Sequence, residues 1–392
     1  MSLTPKITEE LLDRPGAHIV IVGASFGEFR LVDKLTKALR SERPGAKITW
    51  AIRDSQTADH VIKMHPDQSV VLWPYDWITP VVRWLRQTKP DVIVFVERWR
   101  FANLVIGSRR YGADLMLVNG RCKRRKFFFR FAKPYYRWLF GAFGSALFQN
   151  EEDMANAAEF LGRRTTSAST GDIKFDLSHI PIEPERAVRV EKWLANAGDT
   201  PILAAGSTVD KVEDQFVLDS FASVRKTHAA KLMIAPRRPE RAADLEKLAR
   251  DMGLTVSRRS KMQGDADVYL LDTLGELSYA YRFATAAYVG GSLNGMGHNV
   301  IEPLEWGIPV SYGMNRGNFA AIQEACERAG VGTRVGQVSQ LAVHWLGVLN
   351  SPESREDIGQ RCKSMVQQHR GALGVTLSEL RRLLNQRESQ GS

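Results

Sequence analysis

Between Val289 and Gly313 the chain reads VGGSLNGMGHNVIEPLEWGIPVSYG, its densest run of residues able to do chemistry. An apolar segment, Ala286-Ala287-Tyr288-Val289, runs into Gly290-Gly291-Ser292. A glycine-bearing loop then brings His298 and Asn299 to a predicted helix that carries Glu302. Glycines let a backbone approach a ligand closely, and the N–H groups at a helix start favour an anion such as phosphate. A carboxylate one turn further on reaches a sugar or ribose hydroxyl. Any one of these residues also fits a cap or a plain turn. Their order describes a nucleotide-sugar pocket.

The same theme recurs at other predicted strand ends. Gly206-Ser207-Thr208 follows one strand, and Pro236-Arg237-Arg238-Pro239-Glu240-Arg241 follows the next, where an arginine can clamp a phosphate or carboxylate. Asp272-Thr273-Leu274-Gly275-Glu276-Leu277 follows a third. Polar turns gathered on one edge of one sheet exceed what packing requires. In the first half, the turn Val22–Glu28 has GxxxG rather than GxGxxG spacing, which argues against a dinucleotide fold. Glu28 falls in a first helical turn. There it either complements the helix dipole or serves as general base toward an acceptor hydroxyl.

The elements that must position these residues alternate throughout, strand with helix, the pattern of parallel α/β architecture. Strands are predicted at His18–Val22, Lys47–Ile52, Val70–Leu72, Asp91–Val96, Leu115–Val118, Ala146–Phe148 and Thr166–Ala168. A second series runs Ile202–Ala205, Lys231–Ala235, Val268–Leu271, Ala287–Val289 and Val310–Ser311. The segment Glu353–Arg387 is helical, charged and periodic. This predicts a GT-B fold of two Rossmann-like domains facing a cleft, with a long C-terminal helix. The domains are residues 1–176 on the acceptor side, 177–365 for the nucleotide sugar, and a helical tail over 366–392.

A chain of 392 residues exceeds one ordinary core, in keeping with two domains. Cys122, Cys326 and Cys362 are far apart and odd in number, which excludes a disulfide framework and a zinc site of CxxC type. No run reaches the roughly 18 apolar residues of a membrane span, and the start has no signal-peptide core. A net charge of +10 and a pI near 9.5 point to anionic partners. From Arg121 to Phe140 the chain reads RCKRRKFFFRFAKPYYRWLF, with eight basic residues and no acid. That composition suits an anionic membrane surface or a single-stranded nucleic acid, and equally a solvated helix with a buried aromatic face. A nucleic-acid partner rests on charge alone and is not assigned.

The order of motifs resembles the Kdo transferases, the 3-deoxy-D-manno-octulosonic-acid transferases of lipopolysaccharide assembly (the KdtA/WaaA family), from about Gly23 to Val335. The matching residues are Ser25-x-Gly27-Glu28, Pro74-x-Asp76, Val118-Asn119-Gly120-Arg121, Thr170-Gly171-x-x-Lys174-Phe175-Asp176 and Gly206-Ser207-Thr208. They continue through Pro236-Arg237-x-Pro239-Glu240-Arg241, Asp272-Thr273-x-Gly275-Glu276-Leu277, Gly290-Gly291-Ser292, Gly297-His298-Asn299-x-x-Glu302 and Asn318-Phe319. The resemblance implies an inverting, metal-independent transfer of Kdo from CMP-Kdo to a lipid A precursor, with no cofactor. It puts Glu28 on the family's catalytic base, and Arg237, Ser292, His298, Asn299 and Glu302 on its nucleotide-sugar site. Gly206, Ser207, Thr208, Glu276 and Gly291 join the donor side. Ser25, Glu97, Arg121, Arg124, Arg125 and Lys126 are expected toward the acceptor or the membrane.

Donor-side motifs persist in this chain while acceptor-side ones drift. Arg53–Thr57 replaces a threonine-rich TxTG segment, Glu97–Asn103 keeps one acid of ETELWPN, and Arg238 replaces a histidine. Three alternatives therefore stay open: another CMP-activated acidic sugar, another glycan or glycolipid acceptor, or a degenerate transferase acting as a membrane-surface binding module. The family's N-terminal membrane-anchoring helix has no counterpart in this sequence. The expected location is peripheral, on the cytoplasmic face of a bacterial inner membrane.

Overall fold

The computed structural model describes residues 17–23, 26–122, 132–176, 182–295, 297–315, 317–350 and 352–391, without the side chains of 26–30, 318, 352–354, 388, 390 and 391. The chain divides into two compact units, Met1–Leu177 with His369–Ser392, and Ser178–Gln368.

Unit 1 is built on β1 (His18–Gly23), β2 (Lys47–Ile52), β3 (Ser69–Leu72), β4 (Val92–Val96), β5 (Asp114–Gly120), β6 (Ser145–Phe148) and β7 (Thr166–Ser169). They form one parallel sheet in the order β3-β2-β1-β4-β5-β6-β7. Helices α1 (Phe26–Glu42), α2 (Ser55–Met64), α3 (Ile78–Thr88), α4 (Ala102–Tyr111), α5 (Lys133–Phe140) and α6 (Glu151–Ala158) connect them. Along β1, Val20 and Val22 enter one apolar cluster while Ile19 and Ile21 enter another on the opposite face. A strand covered on both faces has to be apolar throughout, which is why His18–Val22 reads as a continuous run.

Unit 2 repeats the plan with β8 (Ile202–Thr208), β9 (Lys231–Pro236), β10 (Val256–Arg258), β11 (Val268–Leu270), β12 (Ala284–Val289), β13 (Val310–Tyr312) and β14 (Gly332–Arg334). The order is β10-β11-β9-β8-β12-β13-β14, again parallel. Its helices are α7 (Pro184–Leu194), α8 (Lys211–Arg225), α9 (Ala242–Asp251), α10 (Leu277–Ala280), α11 (Ile301–Glu305), α12 (Ala320–Arg328), α13 (Val338–Leu349) and α14 (Pro352–Gln368).

The helical tail is divided. After α14 the chain turns at Gly371, whose φ of 111° suits glycine, and enters α15 (Ala372–Gly391). That helix belongs to unit 1. Ala372, Leu380, Leu383 and Leu384 are buried in the same cluster as Ile19 and Ile21. The Asp176 carboxylate accepts the N–H groups of Gly371 (2.9 Å) and Leu373 (2.8 Å), fixing where the helix starts. Among the described residues no helix is long and apolar enough to cross a membrane.

Strand order reverses between β1 and β4 in unit 1 and between β8 and β12 in unit 2. In open parallel sheets the crevice beyond the carboxyl ends of such strands is where ligands bind.

Candidate functional site

At the switch point of unit 2, β8 ends in Gly206-Ser207-Thr208 and β12 runs into Gly290-Gly291-Ser292. The two are stitched by Gly290 N–H donating to the Gly206 carbonyl (2.8 Å). A Cβ at position 206 would lie 1.9 Å from the hydroxyl of buried Tyr281, so only glycine fits. Ser207 adopts a left-handed φ of 61°, a strained conformation for a residue with a Cβ. Buried Glu213, on α8, holds the turn from beneath. Its carboxylate accepts from Val209 N–H (2.9 Å), Gly291 N–H (2.8 Å) and the Tyr288 hydroxyl (2.8 Å). Burial pushes this carboxyl up, against the pull of those three donors.

The glycine loop departs from expectation in one respect. The amides of Gly290, Gly291 and Gly297 are spent inside the protein, on the Gly206 carbonyl, Glu213 and the Gly291 carbonyl respectively. Gly291 is glycine because its φ is 83° and the His298 ring occupies the space a Cβ would take, 2.6 Å from Cδ2. The helix expected to present free N–H groups, α11, has only five residues. Those three amides are therefore not free to meet an anion.

The polar side chains converge. Arg237, leaving β9, is exposed and has no ion-pair partner among the described residues. Its charge reaches His298, which burial first and Arg237 second push down to about 4, leaving a neutral imidazole. The Nε2 of His298 is buried with no hydrogen-bond partner. Asn299 Oδ1 accepts Ile301 N–H (3.1 Å) and its Nδ2 donates to Glu302 Oε1 (3.3 Å), orienting that carboxylate on the first turn of α11. Buried Ser292 accepts Gly313 N–H on Oγ (2.7 Å) and so ties the loop to the end of β13. Thr208 is buried and its carbonyl receives Arg237 N–H (2.8 Å) and Arg241 Nη1 (2.9 Å), while Arg241 also pairs with Asp214.

Gly206, Ser207, Thr208, Arg237, Gly291, Ser292, His298, Asn299 and Glu302 thus gather at the ends of the adjacent strands β8, β9 and β12. Glu276 follows β11 on the same edge, but its buried carboxylate is already engaged by Arg259 (2.9 Å), Arg186 (3.5 Å) and the Thr273 hydroxyl. Sequence reasoning missed Tyr281, which enforces Gly206, and Gln323, fully buried beside Gly297 with neither amide atom partnered. A lone tyrosine or glutamine in a helical stretch carries no signal of that kind.

In unit 1, Glu28 is the third residue of α1, directly beyond β1; its side chain, together with Ser25, Arg124, Arg125 and Lys126, lies outside the described residues. Glu97 follows β4 and is buried, with φ 57°. Its carboxylate binds Lys174 Nζ (2.6 Å) and Asn119 Nδ2 (3.2 Å), and Asn119 is itself left-handed at φ 56°. Asp172 closes the cluster by accepting from Asn119 Nδ2 (3.0 Å). Glu97 is therefore half of a buried ion pair rather than an open carboxylate. Arg121 contributes its carbonyl to Trp99 Nε1 (3.0 Å). Among the described residues no group of three or more His, Cys, Asp or Glu side chains could hold a metal ion.

Two parallel sheets in tandem, with a polar cluster at the switch point of the second, define the GT-B fold. A glycosyltransferase from Rickettsia africae has this fold, with a TM-score of 0.63 at 12% identity over 94% of this chain and 99% of that one. Residues 4–177 match the family described as 3-deoxy-D-manno-octulosonic-acid transferase (kdotransferase). The 3-deoxy-D-manno-octulosonic acid transferase of Bordetella pertussis is 29% identical over 78% of this chain and 72% of its own length. That of Aquifex aeolicus is 29% identical over 81% and 82%. The chain is thus similar to Kdo transferases over most of its length.

Proposed function

We propose that the protein moves Kdo from CMP-Kdo to a lipid A precursor or related anionic lipid, with inversion at the transferred carbon, at the cytoplasmic face of a bacterial inner membrane. The observation that carries this reading is the pairing of exposed Arg237 with a neutral, unpartnered His298 above Asn299 and Glu302. Arg237 meets the phosphate of CMP and stabilises its charge as it departs. His298 stays neutral beside that arginine, so its Nε2 offers or receives one hydrogen bond without adding charge. Glu302, oriented by Asn299, takes a hydroxyl of the ribose or the sugar. In unit 1, Glu28 accepts the proton of the attacking hydroxyl. The sugar–phosphate bond breaks as the new glycosidic bond forms on the opposite face, and CMP leaves with its phosphate. No cofactor is assigned, since CMP-Kdo is a substrate.

Calorimetric titration with CMP tests the donor site. Arg237→Ala is expected to weaken binding by about 1.5–3 kcal/mol, the usual worth of a charge-assisted contact. Asn299→Ala and Glu302→Ala are expected to weaken it less. Unchanged affinity in all three variants removes the donor from this edge.

A further inference from the structure

Helix α12 carries a side chain that its surroundings do not explain. Gln323 is fully buried, and among the described residues neither its Oε1 nor its Nε2 has a hydrogen-bond partner. A primary amide has two N–H donors and an accepting oxygen, and burying them unpaired costs stability. Leucine or methionine fills a similar volume without that cost. Buried polar groups left unpaired are uncommon enough to need a reason, and a second state in which they are paired is one.

The helix itself is fixed. Ile322, Ala325 and Cys326 are buried along α12, and the Tyr312 hydroxyl donates to the Gln323 carbonyl (2.9 Å). Beside the amide lies the turn at Gly297. A Cβ there would stand 3.8 Å from Gln323 Nε2 and 3.5 Å from the Ser292 Cβ, and the φ of 73° suits glycine.

The chain before this turn is tied down. Ser292 accepts Gly313 N–H on Oγ (2.7 Å) and Asn315 N–H on its carbonyl (2.9 Å), while Asn315 Nδ2 donates to the Leu293 carbonyl (3.1 Å). The turn closes through Gly297 N–H to the Gly291 carbonyl (2.9 Å). Directly after it comes His298, whose Nε2 is also buried without a partner. Two unpaired polar groups thus flank one glycine turn, at the strand edge where the donor site is placed.

We propose that Gln323 is a positioning residue of the donor site: when a nucleotide phosphate engages His298, the Gly297–His298 turn shifts and its backbone pairs with the Gln323 amide. The amide can accept an N–H and donate to a carbonyl of that turn, so it holds the imidazole on the phosphate without touching the donor. The inference rests on the function proposed above. It makes the ligand-free protein less stable at this position than an apolar residue would, and the bound one tighter.

The test compares wild type with Gln323→Met and, separately, Gln323→Leu. Without ligand both variants should melt at or above wild type, by up to about 4 °C. By calorimetry both should bind CMP about tenfold more weakly, the equivalent of one neutral hydrogen bond. The KM for CMP-Kdo should rise by a similar factor, and by more than kcat falls. In a His298→Ala background, Gln323→Met should change CMP affinity by less than about twofold, because the group it positions is gone. A residue that served packing alone would lower the melting point and leave the His298→Ala background just as sensitive. The proposal is overturned if both variants melt below wild type, if both bind CMP within about twofold of it, or if the loss persists in full without His298. Wild type that binds no CMP would sink the proposed function and this inference together. Tight CMP binding by wild type and both variants alike would sink this inference alone.

Discussion

The pairing of Arg237 with His298 keeps a single positive charge where a phosphate would lie. Two cations side by side would each raise the cost of charging the other. Burial and the neighbouring guanidinium settle it by holding the imidazole neutral. In the proposed reaction Glu28 would carry the other half of the chemistry, because a hydroxyl attacks faster when a positioned carboxylate takes its proton. Losing such a base typically lowers the rate about 10²–10⁴-fold while leaving the donor's contacts alone. At this scale the sequence shows residue types but not their partners. Glu276 and Glu302 look alike, each a carboxylate just beyond a strand. Only the fold reveals that Arg259 and Arg186 have already claimed Glu276. The pairing of Glu97 with Lys174, distant in sequence, was likewise not legible.

The turn after β8 shows how backbone room shapes the candidate site. Gly206 leaves room for Tyr281, whose phenol lies near Glu302 and is pushed well up by burial and then by that carboxylate. Gly206→Ala is expected to destabilise unit 2 by about 1–3 kcal/mol, as overpacking does. Gly264→Ala, with open space around it, should change little. Denaturant unfolding compares the two, and equal midpoints would mean that Tyr281 simply moves aside. The long apolar strands were legible because burial on both faces forces a continuous run, as in β1 and β4. The edge strands β10 and β14 were not. Each has three residues, Val256-Ser257-Arg258 and Gly332-Thr333-Arg334, too short and too polar to display a period.

At the scale of the whole molecule, three histidines among the described residues tie stability to pH. His18, bonded to Thr49 through Nε2 (2.9 Å), is pushed down to about 4 by burial and then by Lys47. His344 and His298 are also pushed down to about 4, chiefly by burial. In the unfolded chain all three bind protons near 6.5. Between roughly pH 6.5 and 4 the unfolded state therefore holds more protons. Stability is complete above that window and falls as pH falls through it, by about 1.4 kcal/mol per pH unit for each histidine at most. Glu213 and Asp214, raised by burial, act in the opposite sense and soften the slope. Thermal midpoints across this range should drop toward acid, and less steeply in His344→Leu; an identical slope would clear His344 of any part. The tail's destination was not legible. Ala372, Leu380, Leu383 and Leu384 announce an amphipathic helix, but an apolar stripe does not say which sheet it covers.

The most direct test of the account follows wild type and Glu28→Gln in parallel, with CMP-Kdo and a lipid A precursor, by mass spectrometry of the lipid. Wild type should yield lipid heavier by the transferred sugar. Glu28→Gln should fall about 10²–10⁴-fold in rate while binding CMP as tightly as wild type. Transfer by Glu28→Gln within a few-fold of wild type, or no sugar on the lipid in either reaction, would contradict the account.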